Sequence, residues 1–124
     1  MDRKHFLQLS GSAAAGLALS SCFGGKKSAG GGTIKNLGLQ LYSLRDDLPK
    51  DPKGILKQVA SFGYKEIESY EGADGMFWGM GNKDFKKYMD KLGMTIVGSD
   101  CDHTKDFERK AAEAGEIGMD YLIC

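Results

Sequence analysis

Three times in this chain an amphipathic stretch closes on an apolar residue and a glycine, and a β-prone run follows: Phe62-Gly63, Leu92-Gly93 and Ile117-Gly118. Glycine ends a helix in the left-handed conformation without steric cost. The stops lie 30 and 25 residues apart, room for one strand, one helix and their connections. The chain therefore reads as βα units with parallel strands. The spacing predicts strands over residues 34–42, 64–70, 94–99 and 119–124, with three helices between them. The first helix starts at Asp51-Pro52, with Asp as cap and Pro at the first helical position, and turns Ile55, Leu56, Val59 and Phe62 inward. Asn82 is the expected cap of the second, whose inner face is Phe85, Met89 and Leu92. Thr104 is the expected cap of the third, with Phe107, Ala111 and Ala114 facing in.

Two folds hold such repeats, a doubly wound open sheet and a (βα)8 TIM barrel. The first strand-to-helix connection, Ser43-Leu44-Arg45-Asp46-Asp47-Leu48-Pro49-Lys50, has neither the GxGxxG of a dinucleotide site nor Walker A spacing. Gly72, Gly75, Gly79 and Gly81 follow the second strand in a loop rather than at a helix start. Strand faces separate the two folds. Gly38, Gln40 and Tyr42 share one side of the first strand, and Glu66 and Glu68 share one side of the second. A sheet covered on both faces by helices should be apolar on both, whereas polar inward residues near the C-terminal rim suit a barrel lumen. The expected fold is α/β, a (βα)8 TIM barrel of which the first three βα units and the fourth strand are present.

The N-terminus reads differently. Residues 1–22 run from a charged start (Asp2-Arg3-Lys4-His5) through a weakly apolar stretch to Leu19-Ser20-Ser21-Cys22. This layout resembles a bacterial export signal ending in a lipobox, with Cys22 the residue that would be lipidated. Arg3-Lys4-His5-Phe6-Leu7 resembles a twin-arginine signal with Lys4 in place of the second arginine. An N-terminal amphipathic helix burying Cys22 is the plainer alternative, against which Gly11, Ser12, Gly16, Ser20 and Ser21 weigh. Seven of the 18 glycines lie between Gly11 and Gly32, and residues 23–33 read as a Gly/Ser-rich flexible tether. Residues 34–124 are the folded domain. The expected location is periplasmic or cell-surface, anchored to the membrane through a lipid on Cys22.

Seventeen basic against seventeen acidic residues give no net charge, which argues against a nucleic-acid partner. Cys22, Cys101 and Cys124 lack zinc-knuckle spacing. Cys101 and Cys124 have no basic neighbours in sequence that would activate a thiol and read as structural.

Three stretches carry a family resemblance: Gly38-Leu39-Gln40-Leu41-Tyr42-Ser43-Leu44-Arg45, Phe62-Gly63-Tyr64-Lys65-Glu66-Ile67-Glu68 and Ser99-Asp100-Cys101-Asp102-His103. They resemble the xylose-isomerase-like TIM barrels, the sugar phosphate isomerases and epimerases, and in particular their exported bacterial members. The resemblance implies a divalent metal (Mn, Mg, Zn or Co), a sugar or sugar phosphate substrate, and a proton or hydride shift next to a carbonyl. Glu68 matches the family's second-strand glutamate and His103 its histidine after the third strand, which makes them the candidate catalytic pair. In the endonuclease branch such a histidine is itself a ligand, so His103 is also a candidate metal ligand, while the family's principal ligands lie on later strands.

Each of these residues has a plainer alternative. His103 could be a solvated loop residue, and Glu68 a lumen carboxylate paired with a base. Glu66 reads as structural. Gln40 and Tyr42 are candidate contacts for sugar hydroxyls, against a core role for Tyr42. Arg45 is a candidate anion contact, against a surface ion pair with Asp46 or Asp47. The loop of residues 71–81, with Met76, Phe77, Trp78 and Met80, reads as a flap over the pocket bringing Trp78 to the substrate, as a surface packing against a partner, or as a core plug. The apolar run Tyr121-Leu122-Ile123-Cys124 has no helix after it to cover it. The expectation is an N-terminal half-barrel, with pairing of two copies as the other way to complete it. The function expected is that of a sugar isomerase or epimerase, inactive as this piece alone; the alternative is a non-catalytic carbohydrate-binding lipoprotein on the same barrel.

Overall fold

The structure is a computed structural model that describes residues 33–124. The export signal, the lipidation site and all of the tether except Thr33 lie outside the described residues. Four strands, β1 (Gly38–Gln40), β2 (Glu66–Tyr70), β3 (Thr95–Asp100) and β4 (Tyr121–Ile123), alternate with helices α1 (Pro52–Ser61), α2 (Asn82–Leu92) and α3 (Phe107–Glu116). All neighbouring strands are parallel and lie in the order β1-β2-β3-β4. Sequential order without reversal is the arrangement of barrel staves; a doubly wound sheet reverses at its switch point. The α/β class and the partial TIM barrel are as the sequence led one to expect.

The glycine stops are as read. Gly63, Gly93 and Gly118 take φ of +92°, +69° and +73°, and each returns the chain from a helix to the next strand. Asp51 caps α1 by accepting from the Gly54 amide at 2.9 Å, with Pro52 opening the helix.

Other boundaries moved, each for a local reason. β1 is short because the Gln40 side-chain carbonyl accepts the Tyr42 amide and turns residues Leu41–Leu44 into a 3₁₀ helix. Tyr42 therefore leaves the strand alternation. Phe62 ends α1 beyond the turns that cover the sheet and is 75% exposed. Asn82 is not the cap of α2; Gly81 holds that place, and the Asn82 amide instead donates to the Glu113 carbonyl and the Glu116 carboxylate on α3, both at 2.9 Å. Thr104 does not cap α3 either. It is held by the Asp102 side chain, and the helix begins three residues later behind Asp106. This later start presents Lys110, Ala114 and Ile117 to the interior, leaving Phe107 and Ala111 exposed.

The core lies between the helices and one face of the sheet, with Leu41, Leu48, Leu56, Ile67, Phe85 and Met89 fully buried. The loop after β2 plugs this core rather than forming a flap. Met76, Phe77 and Trp78 are all buried, and Phe77 packs on Phe85 with ring centroids 5.7 Å apart. The Trp78 indole donates to Ser69 Oγ at 3.1 Å, and Ser69 Oγ donates to the Met76 carbonyl at 2.9 Å. One buried hydroxyl thus satisfies both polar groups of the plug.

One irregularity sets the register. Ile67 pairs with Ile96, but Glu68 pairs with Gly98, so Val97 is an extra residue in β3. Beyond this bulge Asp100 aligns with Tyr70 on one side and with Ile123 on the other.

Ser69→Ala leaves the indole N–H and the Met76 carbonyl buried without a partner. The expected loss is about 2–3 kcal/mol of stability, read by urea unfolding with the single tryptophan, Trp78, as fluorophore.

Candidate functional site

The sheet face turned away from the helices carries one continuous polar rung. Gln40, Glu68, Gly98 and Tyr121 are register partners across all four strands. Gly98 has no side chain, so the Tyr121 ring lies across it; a Cβ there would collide with the ring. Tyr121 thereby reaches two strands over and donates its phenol to Glu68 Oε2 at 2.8 Å. On the other side, the Gln40 amide nitrogen donates to Glu68 Oε1 at 3.0 Å and to Asp100 Oδ2 at 3.3 Å. The Gln40 carbonyl is committed to the Tyr42 amide, so its NH₂ is fixed toward the two carboxylates.

This arrangement orients the Glu68 carboxyl group with one donor on each oxygen. Each oxygen keeps a lone pair free. The bond to Glu68, followed by burial and the negative charge of Glu68, raises the Tyr121 phenol above its ordinary value and keeps it a proton donor. Glu66 lies one step below, accepting from Asn36 at 3.0 Å.

Above the rung, at the C-terminal ends of the strands, opens a cleft of about 500 Å³ whose lining includes Tyr42, Tyr70, Asp100, Lys105 and Ile123. Asp100, which accepts from Gln40, joins the rung to the cleft. Tyr42 stands at its edge, 54% exposed. Its ring meets Tyr70 edge-on at 5.2 Å, and Tyr70 meets Trp78 in the same way at 4.9 Å. Arg45 lies over the Tyr42 ring at 5.1 Å, in place of an ion pair with Asp46 or Asp47; Asp47 is paired with Lys50.

The rim loops are held by a group that periodicity alone did not pick out. The Lys110 side chain on α3 is only 5% exposed and pairs with both oxygens of Glu71, at 2.7 and 2.8 Å. It also donates to the Asp102 carbonyl at 2.8 Å, while the Asp102 amide donates to Glu71 at 2.7 Å. Burial pushes the Glu71 carboxyl up, but hydrogen bonds from Lys110 and the Asp102 amide, with the lysine charge, hold it below its ordinary value. Hydrogen bonds from the Thr104 hydroxyl and amide lower Asp102 to about 2. Burial, with Cys124 beside it, raises the Cys101 thiol to about 11. The signal for the clamp was present in the sequence, since Lys110 stands four residues before Ala114 and seven before Ile117, inside the apolar stripe.

The structure brings together Gln40, Glu68 and, one level up, Tyr42 and Arg45. It adds Asp100 and Tyr121. It does not bring Trp78 to the cleft, because that ring is buried behind Gly72 and bonded to Ser69. His103 is exposed on the loop after β3 and is not part of the cleft lining. Among the described residues no group of three or more His, Cys, Asp or Glu side chains is arranged to hold a metal ion. The residues present do not make a complete divalent-metal site.

No family model matches the chain, and no curated protein matches it either. Among solved structures it is similar to a sugar phosphate isomerase/epimerase from Parabacteroides distasonis ATCC 8503, with TM-score 0.57 and 26% identity, over 70% of this chain and 40% of that one. A second sugar phosphate isomerase/epimerase from the same organism is matched with TM-score 0.48 and 28% identity, over 73% of this chain and 36% of that one. The chain spans less than half the length of either. The class defined by fold and comparison is a partial TIM barrel similar to sugar phosphate isomerase/epimerases.

Lys110→Met leaves the Glu71 carboxylate without its counter-charge and should cost about 3 kcal/mol. The pH dependence follows from the lowered Glu71 value. Its stabilisation is complete above the ordinary carboxylate range and is lost as pH falls through the folded value. Acid unfolding followed by Trp78 fluorescence should show this loss, and Glu71→Gln should flatten that limb of the curve.

Proposed function

We propose that this chain forms part of a sugar or sugar phosphate isomerase or epimerase in which Glu68 moves a proton at the carbon next to a carbonyl. The observation that carries the reading is the Gln40–Glu68–Tyr121 rung joined through Asp100 to the rim cleft, on a scaffold similar to named isomerase/epimerases. Glu68 acts as general base through its free lone pairs, its carboxylate oriented by its two donors. Tyr121 and Gln40 hold the carboxylate toward the lumen, and Asp100 accepts from sugar hydroxyls at the cleft floor. Tyr42 offers an exposed ring face to the sugar, and Arg45 beside it offers a guanidinium to an anionic substituent. His103 is retained as second proton carrier for its rim position, and Trp78 is withdrawn from the substrate contacts.

A divalent metal belongs to the proposal for the whole protein, with its principal donors outside the described residues. The proposal extends to location: an exported, periplasmic or cell-surface protein held by a lipid on Cys22. A homo-oligomer is compatible with this reading.

The test is exchange with solvent. Full-length protein incubated with ketose and aldose phosphates in D₂O should place deuterium on the carbon next to the carbonyl, followed by NMR. Glu68→Gln should slow this by roughly 10²–10⁴-fold with little change in KM, and Tyr121→Phe should slow it less. Undiminished exchange in Glu68→Gln would sink the assignment. Sugar binding by the wild type without exchange selects the carbohydrate-binding alternative.

A further inference from the structure

Cys101 and Cys124 follow directly on β3 and β4. Asp100 and Ile123 are register partners, and the ladder continues past them, with the Cys101 amide donating to the Ile123 carbonyl at 2.9 Å. The two cysteines therefore occupy the next rung. Neighbouring positions on parallel strands lie about 4.8 Å apart, within the Cα separation a disulfide spans, and residues on one rung project to the same face. The side chains already meet, with the sulfur atoms 3.7 Å apart. Both are free thiols, Cys101 7% exposed and Cys124 open to solvent, and both border the rim cleft.

We propose that Cys101 and Cys124 are a redox pair that closes to an intrachain disulfide, stapling the end of β3 to the end of β4. Standing 23 residues apart and outside any recognisable motif, they are paired by the register alone. Closure encloses α3 and ties the loop carrying Asp102 and His103 to β4. It requires the sulfur atoms to move together by rotation of side chains rather than by rearrangement of the sheet.

The oxidant is a small-molecule disulfide that reaches the cleft. Cys124, the accessible thiol, attacks it as the thiolate. One sulfur of the reagent bonds to Cys124, and the other departs as a thiolate that takes up a proton. Cys101 then gives up its proton and attacks the Cys124 sulfur, displacing the second reagent thiol. Two protein thiols and one small disulfide become one protein disulfide and two small thiols. This inference stands apart from the isomerase reading, since it uses neither Glu68 nor the polar rung.

The experiment uses the 124-residue chain carrying Cys22→Ser, in which Cys101 and Cys124 are the two remaining cysteines. Folded protein, checked by Trp78 fluorescence, is incubated with oxidised glutathione at neutral pH, alkylated and digested with trypsin. The expected result is loss of both titratable thiols per chain, at a rate independent of protein concentration. The peptides of residues 92–105 and 111–124 should be joined, with a mass two hydrogens below their sum, and dithiothreitol should separate them. The exposed-site variant Cys124→Ser should retain its Cys101 thiol and yield no linked peptide. Persistence of both thiols overturns the proposal, as does a stable glutathione adduct on Cys124 without closure, or a link formed only between two chains.

Discussion

An ammonium group placed inside a protein must be given its acceptors, and Lys110 is such a group. Its position on α3 forces a carboxylate, Glu71, and a backbone carbonyl, that of Asp102, to converge on it. These come from the segments leaving β2 and β3. A single helix residue therefore fixes how two rim loops stand relative to each other, and the cleft between the strand ends inherits its shape from that constraint. Buried ion pairs contribute little net stability compared with apolar packing of the same volume. Here the pair's physical effect is to define loop geometry, because neither loop can move away without stranding a charge.

The polar rung follows a different logic, one of omission. A phenol two strands away reaches Glu68 only because the intervening position, Gly98, carries no side chain. The other donor, Gln40, is oriented because its carbonyl is used to turn the backbone at Tyr42. One amide thus ends a strand, begins a 3₁₀ helix and orients a carboxylate. The sheet has an apolar face that packs on the helices and a polar face that does not, with the candidate chemistry confined to the second.

What the sequence made legible was set by local rules. Gly63, Gly93 and Gly118 announce helix ends because the left-handed conformation is a property of the residue itself. Asp51-Pro52 announces a helix start for the same reason, and the alternation of Glu66, Ile67 and Glu68 displays the two faces of β2. The readings that missed depended on distant partners. Asn82 and Thr104 are good caps by type, but each side chain finds another partner, on α3 or at Asp102. Trp78 in a glycine-rich loop resembles a mobile contact until Ser69 is seen waiting beneath it. Tyr121 could not be joined to Glu68 from periodicity, since their alignment passes through a bulge that no local signal marks.

That bulge has a consequence of its own. Side chains on a strand alternate with a period of two, so one residue more or fewer inverts every position beyond it. Val97 is the extra residue in β3, and it alone sets the phase by which Asp100 looks into the lumen while Ser99 looks into the helix layer. The site is therefore encoded in reading order as much as in residue identity. A chain lacking one residue in this segment would keep every functional group named above and nevertheless deliver Asp100 to the wrong side of the sheet. Changes in length at β3, more than changes in composition, are what this face of the protein cannot absorb.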